Sequence, residues 1–279
     1  MAQTIKRASD NKGATETAAK TGSKKAQNVV QTASAGDKKS ALGYRIGAIA
    51  LWLVAIGCEV LAIMALLKDF AIRFTRNGNT NMLITLILFI VLDLIFAIIA
   101  AQLWKKANHI NPPSEKNKFT FYLISEFGVI MACICFIPLI IILLKNDKLD
   151  KKTKTIASIV AIVALLITGV ASADFNPISA EQKTEAENVF NGTSIYWTPF
   201  GHKYHMHYNA DDPDDCCGAI RNSATIYEGD ITESIESGRT SVCSYCRNWW
   251  DKQVENGVEG FSAIDWTQLN IEADVVDGE

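Results

Sequence analysis

The sequence is short of the parts that catalysis needs. It has four histidines in 279 residues, and three of them fall between His202 and His207. No Ser/His/Asp set and no glycine-rich loop of phosphate-cradling spacing is present. We therefore expect no enzyme. Basic residues are scarce towards the end: from Asp174 onward, six Lys or Arg face twenty Asp or Glu. Phosphate contacts need cations, so nucleic acid is not an expected partner. Residues 1–42 have almost no large apolar side chains. They cannot bury enough surface to offset chain entropy and read as a disordered, mildly basic tail. Without an apolar core segment, that tail is not a cleavable signal peptide.

What the chain has instead is four long apolar runs, at about 44–67, 82–104, 119–144 and 155–173. Each approaches the ~20 residues that carry a helix across ~30 Å of hydrocarbon. The connections between them are short and polar. The expected fold is mainly α: a four-helix transmembrane bundle over 43–173 in the lipid bilayer. It is followed by a linker at 174–192, a small α+β Cys/His module at 193–258 and an acidic tail at 259–279.

Four crossings put both ends on one side. Lys24, Lys25, Lys38, Lys39 and Arg45, with Lys105, Lys106, Lys116 and Lys118 in the second connection, favour a cell-membrane protein with both termini cytoplasmic. Five lysines from Lys145 to Lys154 in the third connection pull the other way. The fourth run ends in Ala171-Ser-Ala173 like an export signal, which would place the module outside.

Three acids interrupt the runs: Glu59, Asp93 and Glu126. A charge near mid-bilayer costs on the order of 2.5–3.5 kcal/mol on insertion scales. One reading is a polar cluster that binds a cation or relays protons, as in a small carrier. The other is protonated acids that hydrogen-bond between helices as structural glue. Small residues recur at helical spacing: Gly43, Gly47, Ala50 and Gly57 in the first run, and Ala157, Ala161, Ala164 and Thr168 in the fourth. They mark expected close helix contacts. Pro138 is expected to kink the third helix. Cys58, Cys133 and Cys135 read as inert small hydrophobes.

After the membrane region, Ser194–Trp197 and Lys203–Tyr208 are β-prone around a Pro-Phe-Gly turn, a hairpin signal. Asp230 with Glu233 forms a capping box for a short helix that Gly238 ends. Cys243-x-x-Cys246 follows, and then a second helix with Trp249 and Trp250. Joined by an upstream histidine and one of the pair Cys216/Cys217, the two cysteines make a His-Cys-Cys-Cys set of the kind zinc holds in closed structural sites. So small a module has little core, and a metal supplies the missing stability. A disulfide is the alternative in an oxidising compartment. His202 and His207 read as turn and surface residues, and His109 as solvated.

The stretch from Tyr196 to Cys246 resembles a zinc-ribbon-like module found at the ends of many bacterial proteins. Its pattern is Tyr-Trp-Thr-Pro-x-Gly-x-x-Tyr-His, then Cys-x-x-Leu-x-x-Ser, Gly, a short helix, Gly and Cys-x-x-Cys. Tyr196–Pro199, Gly201, Tyr204, His205, Cys217, Ser223, Gly229, Gly238, Cys243 and Cys246 match. Ile220 stands in the Leu position, and the Asp-rich loop before Cys216 is longer than the pattern has. The four-span region is similar to bacterial, especially actinobacterial, membrane proteins. The resemblance implies His205, Cys217, Cys243 and Cys246 as metal ligands, with Cys216 as the alternative to Cys217, and implies no activity. The expected function is a membrane protein with a metal-stabilised module for a protein partner. A metal sensor is a further alternative.

Overall fold

The computed structural model describes residues 4–7, 35–68, 71–209 and 216–269. The chain is mainly helical and divides into two compact units. One comprises residues 36–108 and 116–175. It holds helices α1 (Ala35–Lys68), α2 (Gly78–Ile110, up to Asn108), α3 (Lys118–Ser125), α4 (Phe127–Lys145) and α5 (Lys151–Ser172). Among the described residues, α1, α2, α4 and α5 are long and apolar enough to cross a membrane.

The unit is built apolar side out. Leu53, Leu166 and Val170 are each more than three-fifths exposed, and many Ile and Val side chains share that outer surface. Water does not tolerate so continuous an apolar surface, and lipid does. The interior is lined with small residues. Ala41, Ala48, Ala55 and Ala62 of α1 are fully buried, as are Ala157 and Ala161 of α5. Close backbone approach lets dispersion contacts drive association where lipid removes the hydrophobic force.

The small-residue stripe of α5 is the expected one; in α1 the expectation holds only at half-buried Gly47, where an added Cβ would lie 3.5 Å from Leu103. Gly43, Ala50 and Gly57 are exposed, and a Cβ added at Gly43 or Gly57 would meet nothing within 4 Å. The buried face repeats every seven residues instead, which holds one side of a helix against its neighbours. A close-packed glycine that the sequence did not mark is Gly128. A Cβ there would lie 3.1 Å from Ser172 Cβ and 3.2 Å from Ala101 Cβ.

The third apolar run is two helices rather than one. The irregular residue between them is Glu126, while α4 continues through Pro138. Asn117 caps α3 by accepting from the Thr120 amide.

The second unit takes in residues 109–115, 176–269 and the strand β1 (Thr4–Arg7). Its helices are α6 (Ala180–Val189), α7 (Ile231–Glu236) and α8 (Ser244–Glu255). β2 (Ile195–Trp197) and β1 flank β4 (Thr225–Gly229), antiparallel and parallel respectively. β3 (Lys203–Tyr204) pairs in parallel with β5 (Ser241–Val242).

This unit is wider than the expected module of 193–258. Helix α6 lies within the expected linker, and its Ala186, followed by Phe190, joins the core. Leu269 of the expected acidic tail is buried in the same core, with Phe261, Ile264 and Trp266 packed on it. Residues 109–115 are tied in by side-chain bonds: Lys183 Nζ donates to the Ile110 carbonyl at 2.8 Å, and Glu181 accepts from the Glu115 amide. His109 is half-buried beside Gly238 rather than solvated. Of the expected tail at 1–42, β1 and the start of α1 are ordered elements. Its remaining residues, the Asp-rich loop 210–215 and the end of the acidic tail, 270–279, lie outside the described residues.

Candidate metal centre

Backbone pairing brings four distant residues together. The hairpin expected from the sequence closes at one bridge: the Tyr196 amide donates to the His205 carbonyl at 2.7 Å, and the His205 amide to the Tyr196 carbonyl at 2.8 Å. The Cys217 amide donates to the His207 carbonyl at 2.9 Å, which returns the chain to the same place after the Asp-rich loop. A tight turn then reverses it, with the Ile220 and Arg221 amides donating to the Cys217 carbonyl. The β3–β5 pairing and the Cys243 amide, which donates to the Tyr204 carbonyl at 3.0 Å, set Cys243 beside His205. Cys243 is the N-cap of α8, and Cys246 sits in that helix's first turn.

The result is a compact donor set. The ligand atoms of His205, Cys217, Cys243 and Cys246 all lie within 4.8 Å of one another, and all four residues are buried. The His205 Nδ1 is 3.3 Å from the Cys217 sulfur and 3.8 Å from that of Cys246. The sulfurs of Cys217 and Cys243 are 3.7 Å apart, and none of the cysteines among the described residues is in a disulfide. These are the four residues expected from the sequence, and together they can hold a metal ion. Cys216 is also buried, but its sulfur lies near the Cys217 carbonyl, outside the set.

Electrostatics prepares one anion. Hydrogen bonds from the Cys217 and Cys246 thiols hold the Cys243 thiol below its ordinary pKa, with His205 helping. The start of α8 adds the positive end of a helix dipole. The same hydrogen bond to Cys243 pushes Cys217 up to about 11. A cation entering this site displaces protons from the remaining thiols.

Packing fixes the donors. Phe190 meets Tyr204 and Trp250 edge-on at 5.8 and 5.9 Å. His207, expected at the surface, stacks on Trp249 with ring centroids 4.3 Å apart and an interplanar angle of 6°. His202 is exposed, as expected. Opposite in character is Phe200 at the hairpin tip, 94% exposed. Its loop is held from below: the Arg239 guanidinium donates to the Thr198 and Pro199 carbonyls, and Thr198 Oγ1 accepts from the Gly201 amide.

In the helical unit the three acids do not form one cluster. Asp93 and Glu59 are buried near one another, with Cys135 alongside. Both Asp93 oxygens and Oε1 of Glu59 lack a hydrogen bond of good geometry among the described residues, the Cys135 thiol being the polar group beside Asp93. Glu126 lies elsewhere, beside Lys105 and Asp174. Lys105 Nζ donates to the Ala171 and Ala173 carbonyls, where a cation favours the end of α5. Comparison with protein-family models, curated proteins and solved structures gives no significant match.

Proposed function

We propose that this is a membrane-anchored protein whose acidic terminal unit is held in shape by zinc and docks a protein partner. The supporting observation is the donor geometry. A tetrahedral zinc with bonds of about 2.3 Å to sulfur and 2.0–2.1 Å to nitrogen sets sulfurs about 3.8 Å apart and a sulfur and nitrogen about 3.5 Å apart. The separations of 3.7 Å between sulfurs and 3.3 and 3.8 Å from sulfur to Nδ1 fit that figure. His205, Cys217, Cys243 and Cys246 would hold the ion. Four protein ligands leave no open position, so the ion would stabilise the fold and activate no water.

The partner reading is supported by Phe200, an aromatic anchor presented on a braced turn. The excess of acids from Asp174 onward favours a basic partner surface. We place both termini in the cytoplasm, on the strength of Lys38, Lys39, Lys105, Lys106, Lys116 and Lys118 and of a compartment that keeps the thiols reduced. Elemental analysis of the purified full chain, paired with a thiol count under denaturing conditions, tests the reading. One zinc per chain is expected. Metal-free protein with paired, oxidised sulfurs overturns it.

One observation favours a second reading: the buried, poorly hydrogen-bonded carboxyl oxygens of Asp93 and Glu59. Two such groups suit a shared proton or a cation, and a small ion- or proton-coupled carrier would use them without Glu126. Solute and proton flux into vesicles that are both unchanged in D93N/E59Q remove this reading.

A further inference from the structure

The helical unit has a polar cavity of about 490 Å³ between the α1–α2 and α4–α5 connections, lined by Arg73, Asn79, Asn81, Met82, Lys148 and Asp150, among others. We propose that it binds the phosphate group of an anionic phospholipid.

The charge points that way. Residues 71–80 and 145–154 carry seven Lys or Arg against two Asp. One of those lysines, Lys154, pairs with Asp147 at 3.8 Å. The Arg73 guanidinium and the Lys148 ammonium, both lining the cavity, make no hydrogen bond or ion pair among the described residues. Asp150 also lines the cavity, but its carboxylate is turned to α5, where it accepts from the Thr153 amide at 3.0 Å. The first amides of α2 are likewise taken, since Asn79 and Thr80 donate to the Asn77 side chain. The cavity therefore offers two unpaired cations.

The loop that carries Arg73 is built, not loose. Buried Asn81 accepts from the Phe74 and Thr75 amides at 3.0 and 2.7 Å and donates to the Thr75 carbonyl at 2.9 Å. Buried Thr85 accepts from the Ile72 amide at 2.9 Å. This bracing costs two buried polar side chains, and it fixes Arg73 between Ile72 and Phe74. Those two side chains are 37% and 53% exposed. Apolar side chains alternating with a guanidinium suit the depth where acyl chains meet headgroups, and basic pockets between membrane helices recognise lipid phosphates.

The test is native mass spectrometry of the full chain in detergent, with equal amounts of phosphatidylglycerol and phosphatidylcholine added. Wild-type protein should retain the anionic lipid over the zwitterionic one by on the order of tenfold, as expected for two basic residues at a membrane surface. R73Q/K148Q should lose that preference, R73K/K148R should keep it, and K116Q/K118Q should leave it unchanged. No preference in the wild type overturns the proposal, whatever the variants do. So does an equal preference in wild type and R73Q/K148Q. Displacement of the bound lipid by millimolar inorganic phosphate shows a free-anion site and also overturns it.

Discussion

Cys216 and Cys217 are neighbours in the chain and differ in what they touch. Only Cys217 joins the donor set, because the hydrogen bond from its amide to the His207 carbonyl turns its side chain inward. C217S should therefore abolish zinc retention, while C216S should leave about one ion per chain, as elemental analysis would read. Phe200 makes the opposite case, since its role is outward. F200A should weaken capture of a partner by on the order of 2 kcal/mol, the scale of an aromatic anchor, without changing zinc content. Residues of both kinds were legible to different degrees. Cys243 and Cys246 announce themselves by spacing at a helix start. Depth along the spans hinted that Glu126, about two turns from the start of its run, stands apart from Glu59 near the far end of its own, but depth does not fix which neighbour a side chain faces. Lys105, the actual neighbour of Glu126, is distant in sequence.

At the scale of elements, capping was the most readable signal. Asp230 and Glu233 form the expected reciprocal box on α7, and Gly238 follows with φ +89°. D230A should cost about 1 kcal/mol, seen as faster amide exchange in α7. Helix faces were less readable. Of the glycines in α1, Gly43 and Gly57 marked an exposed side and Gly47 a contact with Leu103, while the buried acid marked the packed face: Ala55 and Ala62 flank Glu59 at helical spacing and share its burial. Gly128 tests the packing directly. G128A should destabilise the helical unit by about 1–3 kcal/mol through contacts with Ser172 and Ala101, read as a lowered thermal midpoint in detergent. G43A, with nothing within 4 Å, should not destabilise and should gain about 0.5–1 kcal/mol from helix propensity. The strand β4 and helix α6 escaped notice because neither is strongly apolar. Their roles rest on backbone pairing and a few core contacts made far along the chain.

Across the whole molecule there are separate apolar cores, one around Phe190, Tyr204 and Trp250 and others among the long helices. Removing metal should act on the first alone. A strong chelator should make residues 176–269 sensitive to protease while far-ultraviolet dichroism keeps most of its helical signal. Simultaneous loss of both would show that the cores are not separate. The four spans were plain from hydropathy, since lipid demands a long uninterrupted pattern. The extent of the second unit was not, because its boundary is drawn by single contacts such as Lys183 to Ile110 and by Leu269.

The parallel pairing of β1 with β4, Thr4 opposite Thr225, imposes a parity rule on the chain. Two strands can share hydrogen bonds only in one compartment, so where the long helices cross a membrane the crossings between residues 7 and 225 are even in number. Deleting any single span would leave the sheet with an orphaned edge, and a reporter fused at either end should sense the same compartment.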